Sequence, residues 1–117
     1  RVCYNHLAGE LGVGFYNSLV ASGYLMVQED DVTLTPSGQT FVEAFGIDLK
    51  SLSSNRRPLC KSCLDWSSRR NHLAGSLGTA FLDRFYELGW ASRIEGSRVV
   101  AFSASGEKKL RRLAALQ

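Results

Sequence analysis

All the cysteines and histidines of this chain, Cys3, His6, Cys60, Cys63 and His72, fall in short recognisable clusters. Cys3-Tyr-Asn-His6 reads C-x-x-H, and Cys60-Lys-Ser-Cys63 reads C-x-x-C. Thiolate and imidazole are the donors that tetrahedral zinc, or another thiophilic metal, selects. On a helix, a spacing of three puts both members of a pair on one face. Cys3, His6, Cys60 and Cys63 are therefore the candidate metal ligands. The pairs lie 57 residues apart, and neither belongs to a knuckle-type hairpin. Two other readings stay open: thiols buried as small apolar side chains, and a redox-active or otherwise sensing thiol pair.

His6 and His72 share a setting, since each follows Asn and precedes Leu-Ala-Gly. Each is either a hydrogen-bonded structural residue or one of two imidazoles converging on one small ligand or metal. The near-neutral pKa of imidazole suits ligation or pH sensing. Beside them, Gly9, Gly12, Gly75 and Gly78 are expected inside helices and are read either as points of close helix contact or as bare backbone against a ligand. Trp66 and Trp90 complete the candidate ligand-binding set with His6, His72, Gly9 and Gly75. Trp66, flanked by Asp65 and by Arg69 and Arg70, is either an aromatic anchor or a cover over the join between two halves. No catalytic residue is assigned. The chain has neither HExxH nor a glycine-rich phosphate loop, and no spacing favours a Cys–His nucleophile.

These residues sit on a duplication. Asn5–Gly12 reads NHLAGELG and Asn71–Gly78 reads NHLAGSLG, identical at seven of eight positions with a period of 66 residues. Phe15 then aligns with Phe81, Leu19 with Phe85, Gly23 with Gly89 and Tyr24 with Trp90, while LTPSGQ aligns with FSASGE after two extra residues. A repeat of this length is one supersecondary unit used twice. Leu7, Leu11, Phe15 and Leu19 recur every four residues, which predicts a helix over 5–22 capped by Asn5 and ended at Gly23. Leu73, Leu77, Phe81, Phe85 and Leu88 predict its counterpart over 71–88. Strands are expected at Tyr24–Val27 and Val32–Thr35, and again at Trp90–Ile94 and Arg98–Ser103. A second helix follows each hairpin, one running from the Thr35-Pro36-Ser37 start to about Phe45 and one over 105–116. Leu49–Arg57 reads as a Ser-rich basic connector and Leu59–Ser68 as a short helix. The expected organisation is one domain with repeat one at 1–48, a connector at 49–58 and repeat two at 59–117.

A chain of 117 residues, 44% hydrophobic and 21% charged, suits a globular domain that buries its own core. No apolar run approaches the ~20 residues that span a bilayer, and three cysteines without a secretory pattern point to a reducing, cytoplasmic setting. Charge is unevenly spread. Residues 1–50 hold two basic and six acidic residues, net −4, and residues 51–117 hold twelve basic and five acidic, net +7. Such asymmetry speaks to partners rather than to fold. Helix 5–22 has no Lys or Arg and helix 71–88 has only Arg84, so neither resembles a helix that reads bases.

Each unit resembles half of a winged helix, so the expected fold class is α+β, with two tandem winged-helix-like helix-hairpin-helix repeats packed as one pseudo-twofold domain. More specifically, Cys3, Tyr4, His6, Leu7, Ala8 and Gly9 match the C-Y-D-H-L-A-G motif found in the C-terminal half of certain ArsR-type winged-helix bacterial regulators. Cys63, Leu64, Asp65, Trp66, Ser67, Arg69, His72, Leu73, Ala74 and Gly75 match the second motif, C-L-D-W-[ST]-x-R-x-x-H-L-A-G, and Trp90 matches a later aromatic position. Asn5 departs from the acidic residue of the first motif. The resemblance implies an effector-sensing or dimerisation domain, a homodimer, a small effector, and DNA held by an upstream winged-helix domain outside this fragment. A purely structural dimerisation module and a zinc- or thiol-responsive switch are the alternatives.

Overall fold

A computed structural model describes the backbone of residues 2–3, 6–29, 31–53, 58–65 and 70–115, and the side chains of 8–29, 31–52, 58–64 and 71–113. The chain opens with a hairpin of β1 (Val2–Cys3) and β2 (His6–Leu7), followed directly by α1 (Gly9–Ala21). A second hairpin, β3 (Leu25–Gln28) and β4 (Asp31–Leu34), leads into α2 (Pro36–Ala44) and a short α3 (Leu49–Ser53). The order then recurs: β5 (Lys61–Asp65) and β6 (Arg70–Ala74), α4 (Gly75–Glu87), β7 (Ala91–Arg93) and β8 (Val100–Phe102), and α5 (Ala104–Ala115). The architecture is α+β, and each sheet among the described residues is one antiparallel pair.

Four sequence expectations change here. His6–Leu7 and Arg70–Ala74 are strands, so α1 and α4 begin at Gly9 and Gly75 and not at 5 and 71. The segment expected as a short helix at 59–68 contains β5, paired along its length with β6. Part of the connector, Leu49–Ser53, is helical. Finally, Gly9 and Gly75 are the first residues of their helices and do not lie inside them. They take φ of 76° and 81°, a left-handed conformation that turns strand into helix within one residue and that suits glycine.

Gly75 has a second constraint. An added Cβ would lie 2.7 Å from the carbonyl oxygens of both Pro58 and Leu59. Those carbonyls accept the first amide hydrogens of α4, Ser76 N–H to Pro58 at 3.0 Å and Leu77 N–H to Leu59 at 2.9 Å. Ala74 offers no capping side chain, so the backbone entering β5 caps the helix instead.

The two copies repeat their joints as well as their elements. Gly23 and Gly89 end α1 and α4 with φ of 78° and 73°. In each case the next amide, from Tyr24 or Trp90, donates back to Leu19 or Phe85, the double closure of a Schellman cap. Thr35 Oγ1 accepts from Gly38 N–H at 3.0 Å, and Ser103 Oγ accepts from Gly106 N–H at 2.9 Å. A Cβ on either glycine would collide with the Tyr24 or Trp90 carbonyl.

One apolar cluster draws on both copies, with Phe15, Leu19, Val32 and Val42 buried beside Phe81, Phe85, Val100 and Leu110. Phe15 meets Phe81 edge-on at 4.9 Å and Phe85 at 5.5 Å. Packing is exchanged, since α1 lies on β6 of the second copy and α4 lies on β2 of the first. Arg84 joins the copies from the side: its Nε donates to the Phe45 carbonyl at 2.8 Å, and its guanidinium lies 5.8 Å from the Phe45 ring centre.

Candidate functional site

The cysteines and histidines stand in a register that their sequence spacing hides. Cys3 is opposite His6 in the first hairpin, and Cys63 is opposite His72 in the fifth and sixth strands. Both copies thus carry a directly opposed Cys–His pair, although two residues separate the partners in one copy and eight in the other. Directly opposed residues of an antiparallel pair share a face, with Cβ atoms about 5 Å apart. His72 is 1% exposed and Cys63 is half-buried. The side chains of Cys3 and His6, and Trp66 as a whole, lie outside the described residues. Among the described residues no three His, Cys, Asp or Glu side chains gather around a common metal position.

Cys60 separates from this arrangement. It precedes β5, so the C-x-x-C spacing does not put Cys60 and Cys63 on one helical face. Instead Cys60 lines a cleft of about 700 Å³ between β4, α2, α3 and the approach to β5. Val32, Leu34, Leu49 and Leu59 give the cleft apolar walls, and Gln39, Glu43 and Lys50 bring polar groups to it. Burial pushes the Cys60 thiol up from 9.0 to about 11. At neutral pH and without a metal it is therefore protonated and a poor nucleophile. The dimensions and mixed lining suit a small amphipathic molecule. The sequence reading missed this cleft because its walls come from four elements, and only Cys60 among them had drawn notice.

The remaining candidates fall into the packing. Trp90 stacks on Phe85 with ring centres 5.8 Å apart and lies 5.5 Å from Phe45. Gly12 and Gly78 line, with Phe15, Leu73, Phe81 and Phe85, a void of about 10 Å³. On α4, the Tyr86 ring packs against the core and its hydroxyl is buried without a hydrogen-bond partner among the described residues. Its pKa is raised, chiefly by burial, with Arg93 opposing and Asp83 adding to the shift. The carboxyl of Asp83 is raised too, by burial and then by Glu87.

Neither long helix of the duplicated unit presents a basic face. Gly12, Val13, Phe15, Tyr16 and Leu19 of α1 are buried, as are Leu77, Gly78, Phe81, Leu82 and Phe85 of α4. Arg84, the single basic residue between them, is engaged with Phe45. The basic residues Lys108, Lys109, Arg111 and Arg112 lie exposed on α5. No helix among the described residues is long and apolar enough to cross a membrane.

A chain with this duplicated α+β core is similar in sequence to a helix-turn-helix (HTH) type transcriptional regulator, with 38% identity over 107 residues. The match takes in 92% of this chain, and the chain spans about half the relative's length, 47%. That relative is YdfF of Bacillus subtilis (strain 168), itself described as uncharacterized. No protein-family model and no solved structure matches the chain.

Proposed function

We propose that these residues form the effector-sensing and dimerisation part of an ArsR-type transcriptional regulator, cytoplasmic, whose DNA contacts are made by a winged-helix domain outside the 117 residues. One observation carries the reading: α1 and α4 are consumed by the core, in a chain similar to half the length of an HTH-type regulator. A helix that reads a major groove must offer polar and basic side chains to bases and phosphates, and these two helices offer buried aromatics. The two copies then act as one tandem winged-helix-like domain turned from DNA reading to sensing. The cleft beside Cys60 holds the effector, and a bound effector shifts the angle between the copies and so the spacing of two DNA-binding domains.

Two measurements test this. In a gel shift at moderate salt, the 117-residue chain is expected to retard DNA without sequence preference or not at all. In thermal-shift screening, small amphipathic molecules are expected to raise the melting temperature, and Leu34→Trp, which fills the cleft, to abolish the rise. Sequence-specific retardation by this chain alone would overturn the reading.

A second reading rests on the recurring Cys–His register. Soft and borderline donors set opposite each other in both copies suit a zinc- or thiol-responsive switch. It predicts that zinc raises the melting temperature of the wild-type chain but not of Cys63→Ser. An equal response from both chains would sink it.

A further inference from the structure

Six large apolar side chains are exposed among the described residues, and four of them stand on the two hairpins that follow α1 and α4. Met26 and Val27 lie on β3 at 50% and 39% exposure. Ile94 and Val99, beyond the paired part of β7 and β8, are 49% and 44% exposed, and the Ile94 amide donates to the Val99 carbonyl at 3.0 Å. Each hairpin is a two-stranded ribbon with no third hydrogen-bonded strand among the described residues; β4 lies beside β5, and the β3 edge that carries Met26 and Val27 has no strand paired to it. An open edge bearing apolar side chains invites pairing with another chain unless something covers it.

Charge decides what covers it. Gln28, Glu29 and Asp31 are exposed around Met26 and Val27, whereas Arg93, Glu95 and Arg98 are exposed around Ile94 and Val99, which leaves the second hairpin with a net charge of +1. Two first hairpins would oppose carboxylates to carboxylates, and two second hairpins would oppose net positive charge to net positive charge. A first hairpin against a second one matches both sign and apolar content. Within one chain both remain exposed, so the match is not used internally. We propose that the occupant is a second copy of this chain, with the β3–β4 hairpin of each protomer lying against the β7–β8 hairpin of the other. This rests on the dimerisation part of the function proposed above and names its surface. In this proposal a single twofold axis relates the two contacts, so each hairpin of one protomer meets the opposite-sign hairpin of the other and the assembly closes at two.

The test is oligomeric state by sedimentation, using the 117-residue chain and exposed-site reversals whose folding is checked by circular dichroism. The wild-type chain is expected to dimerise, and more weakly as salt rises. Arg93→Glu with Arg98→Glu makes both hairpins acidic, and Glu29→Lys with Asp31→Lys makes both basic. Like charges across an interface cost several kcal/mol, so each variant is expected to self-associate about a hundredfold more weakly. An equimolar mixture of the two variants is expected to restore a dimer containing one of each. A wild-type dimer indifferent to every reversal overturns the hairpin surface and leaves dimerisation standing. A monomeric wild-type chain overturns both, and assembly beyond two overturns the closed arrangement.

Discussion

Replacing Gly75 by alanine tests how the strand-to-helix joint is built. The substitution acts twice. Its φ of 81° places an alanine in the left-handed region, which costs about 1–2 kcal/mol. Its Cβ would lie 2.7 Å from the Pro58 and Leu59 oxygens, so that backbone must retreat from the amides of Ser76 and Leu77. Losing or lengthening those two bonds removes about 1 kcal/mol each. The sum is about 3–4 kcal/mol, a large part of the ~5–15 kcal/mol that holds a domain folded. Gly89→Ala is the control, with φ of 73° and nothing within 4 Å of its added Cβ. It pays only the conformational cost of about 1–2 kcal/mol. Urea unfolding of both variants, followed by circular dichroism, gives the two losses directly. If Gly75→Ala costs no more than Gly89→Ala, the backbone cap from Pro58 and Leu59 is not a stabilising contact and the argument fails.

Other outcomes follow from the core and the cleft. Phe85→Ala, fully buried against Phe15, Trp90 and Phe102, is expected to lose about 3–5 kcal/mol in the same unfolding assay. Arg84→Met keeps much of the side-chain stem but removes the donor to the Phe45 carbonyl; a loss of about 1.5–3 kcal/mol is expected, and none would mean the copies need no such tie. The folded state holds the Cys60 proton more tightly than the unfolded chain does, so this contribution to stability is complete below pH 9.0 and disappears as pH climbs through about 11. Cys60→Ala should therefore lose less stability than wild type over that interval, and equal slopes would count against a buried neutral thiol. Iodoacetamide labelling at neutral pH, read by peptide mass spectrometry, is expected to be slower at Cys60 than in the urea-unfolded chain.

The repeat made much of this architecture legible, because its punctuation was local. Gly23 and Gly89 end helices with left-handed φ, and Thr35 and Ser103 cap the next helices with their hydroxyls. The start of each copy was hidden for a physical reason. Leu7, Leu11 and Phe15 keep the helical period straight through the joint, while the backbone changes from strand to helix at Gly9. Periodicity cannot register a switch confined to one left-handed residue. Spacing pairs Cys63 with Cys60, yet its counterpart in the other copy is Cys3, since both oppose a histidine across a hairpin. Intervening stretches of two and eight residues conceal that equivalence in a linear reading. A clue was present: both Cys–His separations are odd, as directly opposed residues flanking an even-length loop must be. The cleft had no linear signature, because tertiary packing alone brings its walls together.

The contact between Phe15 and Phe81 also sets a schedule for synthesis. The apolar stripe of α1 is completed by rings on α4 that are translated 66 residues later. At ~5–20 residues per second, the first copy waits roughly 3–13 s with that stripe uncovered. During that interval the nascent chain is at its most prone to capture by chaperones or by a neighbouring chain, and release comes only when α4 leaves the ribosome.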